Sequence, residues 1–245
     1  MRRLGFSLLL LALLSGPAHA QYGAVRIAWD DCGSAGATAR TFACNTNSGV
    51  EVIVVSFKPA NSTDAVYQFD TRLALGYESF EVIPDWWAFV PVTGCRRGSL
   101  IASADFTSAS GACADPWMGQ AFTSLSVTRY DIFDTQLRRE IVQVTTAIPF
   151  ASAAPLDAAT EYYGVRLIVN HQKTVGTGAC AGCAQGMCVG LFGSGSSTLA
   201  NPANPVRSSL FPRNGYSVTW NGGTSCDRLV PARNATWGAL KSLYR

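Results

Sequence analysis

The sequence predicts an all-β protein that folds as an antiparallel, jelly-roll-like β-sandwich with disulfide-tied loops and a short C-terminal helix or tail. Three observations lead to this fold class. Apolar and polar residues alternate with a period of two in many short segments, as they do in half-buried strands. Clusters of Gly, Ser, Asn and Pro separate these segments, and no long segment before the C-terminus has a helical period.

The predicted strands differ in how many of their faces are apolar. The segment from Val52 to Phe57 is apolar on both alternations, which predicts a central strand covered on both faces. The segments from Val142 to Phe150 and from Tyr163 to Val169 alternate, which predicts half-buried antiparallel strands. The other predicted strands are Ala24 to Trp29, Val66 to Leu75, Trp86 to Val92, Phe122 to Phe133, Met187 to Phe192 and Tyr216 to Asn221.

Two further segments receive a different prediction. The stretch from Gly193 to Pro212 is predicted as a loop, because its three prolines argue against a central strand. A short helix is predicted from Thr236 to Tyr244, with apolar residues on one face. No internal repeat or linker divides the chain, so we expect one β-sandwich domain at 21–225 and a C-terminal segment at 226–245 that packs on it or trails from it.

The amino terminus, residues 1–20, is predicted to be a secretory signal peptide. It has a basic start, an apolar run from Leu8 to Leu14, and the small-x-small Ala18-His19-Ala20 ahead of Gln21. That run is too short to cross a bilayer as a helix, and no later segment is long and apolar enough. We therefore expect an exported protein, secreted or at the cell surface, with no membrane span.

The charge of the exported part excludes one class of partner. Without the two arginines of the signal peptide, 17 basic and 16 acidic residues remain. The basic residues are mostly isolated along the chain, so we expect neither nucleic acid nor an anionic membrane as a partner.

The exported part holds eight cysteines, an even number that predicts structural disulfides in an oxidising compartment. The cysteines are Cys32, Cys44, Cys95, Cys113, Cys180, Cys183, Cys188 and Cys226. Sequence alone cannot choose among the many possible pairings. We therefore base the expected pairs on closeness along the chain. The expected pairs are Cys32 with Cys44, Cys95 with Cys113, Cys180 with Cys188, and Cys183 with Cys226.

Three of these cysteines lie within the segment TGACAGCAQGMCVGL, residues 177–191. Zinc held by four thiolates and a redox dithiol are alternatives to disulfides there. A c-type haem is excluded, because Ala184 stands where that attachment motif needs a histidine. Export favours disulfides, so we expect no metal and no cofactor at this segment.

Evidence for hydrolytic chemistry is weak. The chain has no G-x-S-x-G motif, and His171 is the one histidine outside the signal peptide. A glycan-acting hydrolase would need two suitably spaced carboxylates, which many residues could supply. The candidate acids are Asp30, Asp31, Glu78, Glu81, Asp85, Asp105, Asp115, Asp131 and Asp134. We assign no catalytic residue.

Tryptophans offer the main candidates for ligand binding. Trp86, Trp87 and Trp117 each lie close to an acidic residue, and an exposed indole face can stack on a sugar ring. Burial of all three in the core is the alternative.

Four segments give the chain a resemblance to a known group. They are Trp29 to Gly33 (WDDCG), Phe42 to Asn47 (FACNTN), Cys180 to Cys183 (CAGC) and Thr236 to Arg245 (TWGALKSLYR). The chain resembles secreted bacterial proteins of mostly β structure that have no known activity. The resemblance implies a bacterial, exported, mostly β protein and assigns no functional residue.

The leading interpretation is a secreted or cell-surface β-sandwich without catalytic activity, which binds glycans or another surface protein in adhesion or surface assembly. One alternative is a secreted glycan-acting hydrolase that uses two carboxylates. Another is a subunit of an extracellular polymer. The sequence leaves the oligomeric state open.

Overall fold

The computed structural model describes residues 23–62, 65–76, 83–131, 138–192, 197–201, 204–212 and 216–223. Across these ranges, the chain has no helix that is both long enough and apolar enough to cross a bilayer. The predicted signal peptide, the C-terminal helix and Cys226 lie outside the described residues and stay predictions.

Strands dominate the described residues, and two short 3-10 helices, at Asp85–Trp87 and Phe150–Ser152, interrupt them. The strands in chain order are β1 (Gly23–Trp29), β2 (Ala39–Arg40), β3 (Val50–Lys58), β4 (Ala65–Val66), β5 (Gln68–Gly76), β6 (Leu100–Ser103), β7 (Phe122–Asp131), β8 (Arg138–Ala147), β9 (Ala154–Pro155), β10 (Tyr162–Asn170), β11 (Met187–Leu191), β12 (Ser197–Asn201), β13 (Asn204–Pro212) and β14 (Ser217–Trp220).

The strands form two layers that are joined along one side. The first layer has the order β6-β10-β3-β1-β13-β12, and the second has the order β7-β8-β5-β11-β14-β2. Strand β12 pairs with both β13 and β5, and so connects the layers. Most pairs are antiparallel, whereas β1 with β13 and β2 with β14 are short parallel pairs. The predicted all-β sandwich is confirmed.

Aromatic contacts show that the layers pack face to face. Phe57 of β3 stacks on Phe69 of β5 with ring centroids 5.0 Å apart, and Trp29 of β1 lies 5.8 Å from Trp220 of β14. Gly164 allows a close approach to Phe69 of the other layer, because a Cβ there would lie 2.6 Å from the Phe69 ring and 2.8 Å from the Val55 carbonyl oxygen. The β10 strand accordingly shifts register against β3 at this glycine.

Two sequence predictions of local structure are wrong. The segment from Gly193 to Pro212, predicted as a loop, contains both β12 and β13. Its prolines lie between these strands or near the ends of β13, so the middle of the ladder keeps its N–H donors. The segment from Trp86 to Val92, predicted as a strand, begins in the 3-10 helix and continues without strand pairing.

The disulfides join loops that are far apart in sequence. The bonds are Cys32–Cys113, Cys44–Cys183 and Cys95–Cys180, with sequence separations of 81, 139 and 85 residues. Cys188 is also disulfide-bonded. The four expected pairs are therefore wrong, since Cys32, Cys95, Cys180 and Cys183 all have other partners. Proximity along the chain was a poor guide because the fold brings loops together that are distant in sequence.

Candidate functional site

The three candidate ligand-binding tryptophans, Trp86, Trp87 and Trp117, are all fully buried. The Trp86 indole donates to the Thr174 hydroxyl at 2.9 Å, and the Trp117 indole donates to the Gly164 carbonyl oxygen at 3.1 Å. Trp86 also stacks on Trp220 at 5.2 Å. The expectation of exposed indole faces is thus corrected: these rings fill the core because the 3-10 helix turns both Trp86 and Trp87 inward.

The three-cysteine segment is held by disulfides to separate parts of the chain. Cys180 is bonded to Cys95 and Cys183 is bonded to Cys44, so the two cysteines of the C-x-x-C are not bonded to each other. Neither sulfur is a thiolate, which removes them as zinc ligands and as a redox dithiol. The role of this segment is to connect two loops covalently.

A buried cation next to this segment is structural. The Arg96 guanidinium stacks 3.6 Å from the centroid of the Trp86 ring and donates to the carbonyl oxygens of Trp86, Asn170 and Gln172. Burial lowers the pKa of Arg96 to about 9, so the group is still charged at neutral pH. The carbonyl dipoles and the ring face stabilise that charge without a carboxylate.

The one histidine of the exported part lies beside the Arg40–Glu51 ion pair. His171 Nε2 lies 3.3 Å from Glu51 Oε1, and both side chains are nearly inaccessible. The other oxygen of Glu51 accepts from the Arg40 Nε, and hydrogen bonding to Glu51 is the main reason that the pKa of Arg40 is raised. His171 Nδ1 donates to the Ser48 carbonyl oxygen at 2.7 Å, and Phe42 stacks on the ring. His171 thus joins loops through Nδ1 and the stacked ring, whereas its buried Nε2 lies beside Glu51 and has no hydrogen-bond partner among the described residues.

The hydrolase alternative requires an accessible acid, and the carboxyl group with a raised pKa is not accessible. Burial raises the pKa of Glu140, and donation from the backbone N–H groups of Phe89 and Val90 offsets only part of that effect. Glu140 is 1% exposed, and its Oε1 has no hydrogen-bond partner in the described part of the chain. Sequence reasoning missed this residue, although the alternation of β8 places Glu140 on the same face as Val142 and Val144.

The first layer exposes apolar side chains on its outer face. Val52 of β3 lies opposite Ile168 of β10, which lies opposite Ile101 of β6, so the three side chains form a row on one face. Val50 is two residues from Val52 and shares that face. Val50 and Ile101 are 52% and 49% exposed, and the other two are half-buried. We call these four residues the apolar patch.

Two loops cover the neighbouring part of that outer face. Residues 31–37 lie over β1 and β3, where the Gly33 N–H donates to the hydroxyl of Ser56. Residues 104–113 lie over β10, where Phe106 stacks on Tyr163 at 4.5 Å. The Cys32–Cys113 disulfide joins the two loops. The covering ends at Val54, which is 2% exposed, and the apolar patch begins beyond it.

Asp31 fixes the covering loops electrostatically. Partial burial alone would raise its pKa, but donation from the Ser110 hydroxyl, the Cys32 N–H and the Tyr163 hydroxyl holds the pKa of Asp31 below its usual range. The Tyr163 hydroxyl lies 2.8 Å from the carboxylate. This carboxylate is therefore occupied by structural hydrogen bonds rather than available as a catalytic base.

The outer face of the second layer has the opposite character. Ser126 of β7, Gln143 of β8 and Arg72 of β5 lie opposite one another and are all exposed. In the neighbouring row, the Thr145 hydroxyl donates to Asp70 at 2.5 Å. Along these two rows the outer face of the second layer is therefore polar, whereas the outer face of the first layer is partly apolar.

Comparisons with known proteins add little beyond these observations. No family model matches the chain, and no curated protein matches it. Among solved structures it is similar to a cohesin module from a family 33 glycoside hydrolase of Clostridium perfringens, with 9% identity over 82% of this chain and 98% of that chain and a TM-score of 0.34.

Two similar structures come from Acetivibrio cellulolyticus. A type II cohesin domain from its cellulosome has 9% identity over 80% of this chain and 95% of that chain, with a TM-score of 0.33. The second type II cohesin module of its adaptor ScaA scaffoldin has 14% identity over 82% of this chain and 91% of that chain, with a TM-score of 0.36. At such TM-scores these similarities carry no argument, and the sandwich architecture rests on the strand pairing.

Proposed function

We propose that this protein is a non-catalytic β-sandwich module of a secreted or cell-surface assembly, and that it binds another protein through the apolar patch. The observation that carries the proposal is the row formed by Val52, Ile168 and Ile101, which is apolar on a face where sandwich strands usually present polar residues. Exposed apolar patches of this kind mark interaction sites in soluble proteins.

The strand β3 supports the proposal through its own sequence. It is apolar on both alternations, as in strands covered on both faces, yet its outer face is covered only from Val54 onward. A partner on Val50 and Val52 would complete the covering that this pattern predicts. Each side chain that the partner removes from water would contribute roughly 1 kcal/mol to the free energy of binding, in proportion to the area that the side chain exposes in the free protein.

The compartment and the rigidity of the face fit this role. Disulfides such as Cys32–Cys113 persist outside the reducing cytosol, which supports the predicted export. The patch itself lies on paired strands, which hold their side chains more rigidly than loops do. Protein binding takes the place of the tryptophan-based glycan hypothesis, since those tryptophans are buried. The hydrolase and polymer-subunit alternatives stay predictions.

The test is site-specific photo-cross-linking in the cells that make the protein. A photoreactive residue at Ile101 should give a discrete cross-linked protein, and Ile168→Lys in the same chain should abolish it. The matched control carries the photoreactive residue at Gln143, on the polar outer face. Equal cross-linking at both positions, or a product that Ile168→Lys leaves unchanged, would exclude the apolar patch as the binding surface.

A further inference from the structure

A second surface of the molecule is the lateral edge of β7. This strand pairs with β8 and with no other strand among the described residues. Its register with β8 runs without interruption from Phe122 opposite Ala147 to Asp131 opposite Arg138. Among the described residues, the ten-residue strand therefore has one paired edge and one edge whose backbone groups have no strand partner.

Soluble proteins usually protect such an edge, and β7 lacks the usual protections. It contains no proline and no lysine, has no bulge against β8, and carries its first charge only at Arg129. Its contact with β6 does not cover the edge either. The Thr123 hydroxyl donates to the Ala102 carbonyl oxygen at 3.0 Å from the core-facing side of the strand. An edge that is long, free of bulges and uncharged from Phe122 to Thr128 is suited to pairing with another strand.

We propose that β7 pairs with β7 of a second copy of this chain, antiparallel about a two-fold axis at Ser126. That register places Ser126 opposite itself and Ser124 opposite Thr128 of the second copy. On the other face it places Leu125 opposite Val127 of the second copy. Hydroxyl pairs thus meet on the outer face and aliphatic pairs meet on the core side, both of which stabilise antiparallel strands.

The charges and the exposed side chains of β7 agree with this register. Arg129 faces Thr123 of the second copy, so no like charges oppose each other. Ser124, Ser126 and Thr128 are all exposed, as residues on an uncovered face should be. Phe122, which is 64% exposed, would lie at each end of the new strand pair and lose part of its contact with water. A self-complementary strand of this kind gives a closed, isologous dimer.

The test uses charge substitutions on the exposed face of β7. In Ser124→Lys/Ser126→Lys/Thr128→Lys, the proposed register creates three opposed lysine pairs between two copies. If each pair weakens association about fivefold, dimerisation of the variant should be on the order of 100-fold weaker. The matching triple glutamate variant should also be monomeric, and an equimolar mixture of the two should form heterodimers. The control is Gln143→Lys/Thr145→Lys, which places positive charge one strand away from the edge.

Analytical ultracentrifugation of the full chain without its predicted signal peptide gives the readout, and thermal unfolding checks that each variant folds. The proposal expects a wild-type dimer, a dimer for the control, and heterodimers only in the lysine–glutamate mixture. A wild-type protein that is monomeric at the highest soluble concentration, or that forms open higher oligomers, would overturn the proposal. It would also be overturned if the triple lysine variant dimerised as tightly as wild type, or if the control variant dissociated as readily as the triple lysine variant.

Discussion

Removing the Cys44–Cys183 disulfide tests how the cross-links stabilise the fold. The variant Cys44→Ala/Cys183→Ala opens a loop with a sequence separation of 139 residues. In the chain-entropy account, a loop of that length corresponds to about 5 kcal/mol of stability. The Cys32–Cys113 and Cys95–Cys180 disulfides overlap this loop and shorten the shortest covalent path between Cys44 and Cys183 to about 35 residues. The expected loss in the free energy of unfolding is therefore about 4 kcal/mol.

The measurement is guanidinium chloride unfolding without reductant, followed by tryptophan fluorescence. Opening the loop lets the unfolded chain expand and expose more surface, so the denaturant dependence m should rise as the free energy of unfolding falls. Val189→Ala is the control, because Val189 is buried in β11 and its truncation should lower stability without changing m. A loss below about 1 kcal/mol with an unchanged m would refute the chain-entropy reasoning.

Two further predictions concern single residues. Because burial raises the folded-state pKa of Glu140 above its usual 4.5, ionising this group costs stability as pH rises above that value. Glu140→Gln should therefore raise the free energy of unfolding at pH 7.5 relative to wild type. Near pH 4, where Glu140 is less ionised, the difference between variant and wild type should become smaller. A difference that stays the same at both pH values would contradict ionisation of Glu140 as the cause. Gly164→Ala should lower stability by about 1 to 3 kcal/mol and Tm by several degrees, because the new Cβ would meet a backbone oxygen and the Phe69 ring. An unchanged Tm in calorimetry would show that β10 can move away from them.

The sequence predicted those features that depend on local pattern. The alternation in Tyr163 to Val169 correctly gives β10, because a strand with one buried face repeats every two residues. The run from Val52 to Phe57 correctly gives an inner strand, but the pattern cannot tell which face is covered by this chain and which is open. The apolar patch lies at that open end of β3.

Features that depend on long-range contacts could not be predicted in this way. Proline content argued against strands between Gly193 and Pro212, whereas the positions of the prolines at strand ends permit β13. The disulfide partners followed the arrangement of loops in the folded sandwich rather than distance along the chain. The inward turn of Trp86 and Trp87 depends on a 3-10 helix that has no periodic signal in three residues.

The overlap of the three disulfides has a consequence for survival among extracellular proteases. Every backbone position from Cys44 to Ala179 lies inside at least two of the loops that they close. A single proteolytic cut there, for example at the highly exposed Val92, would leave two fragments that are still joined by two covalent bridges. The nicked molecule would keep both halves of its sandwich together, so damage to one loop need not release the surface that this protein presents.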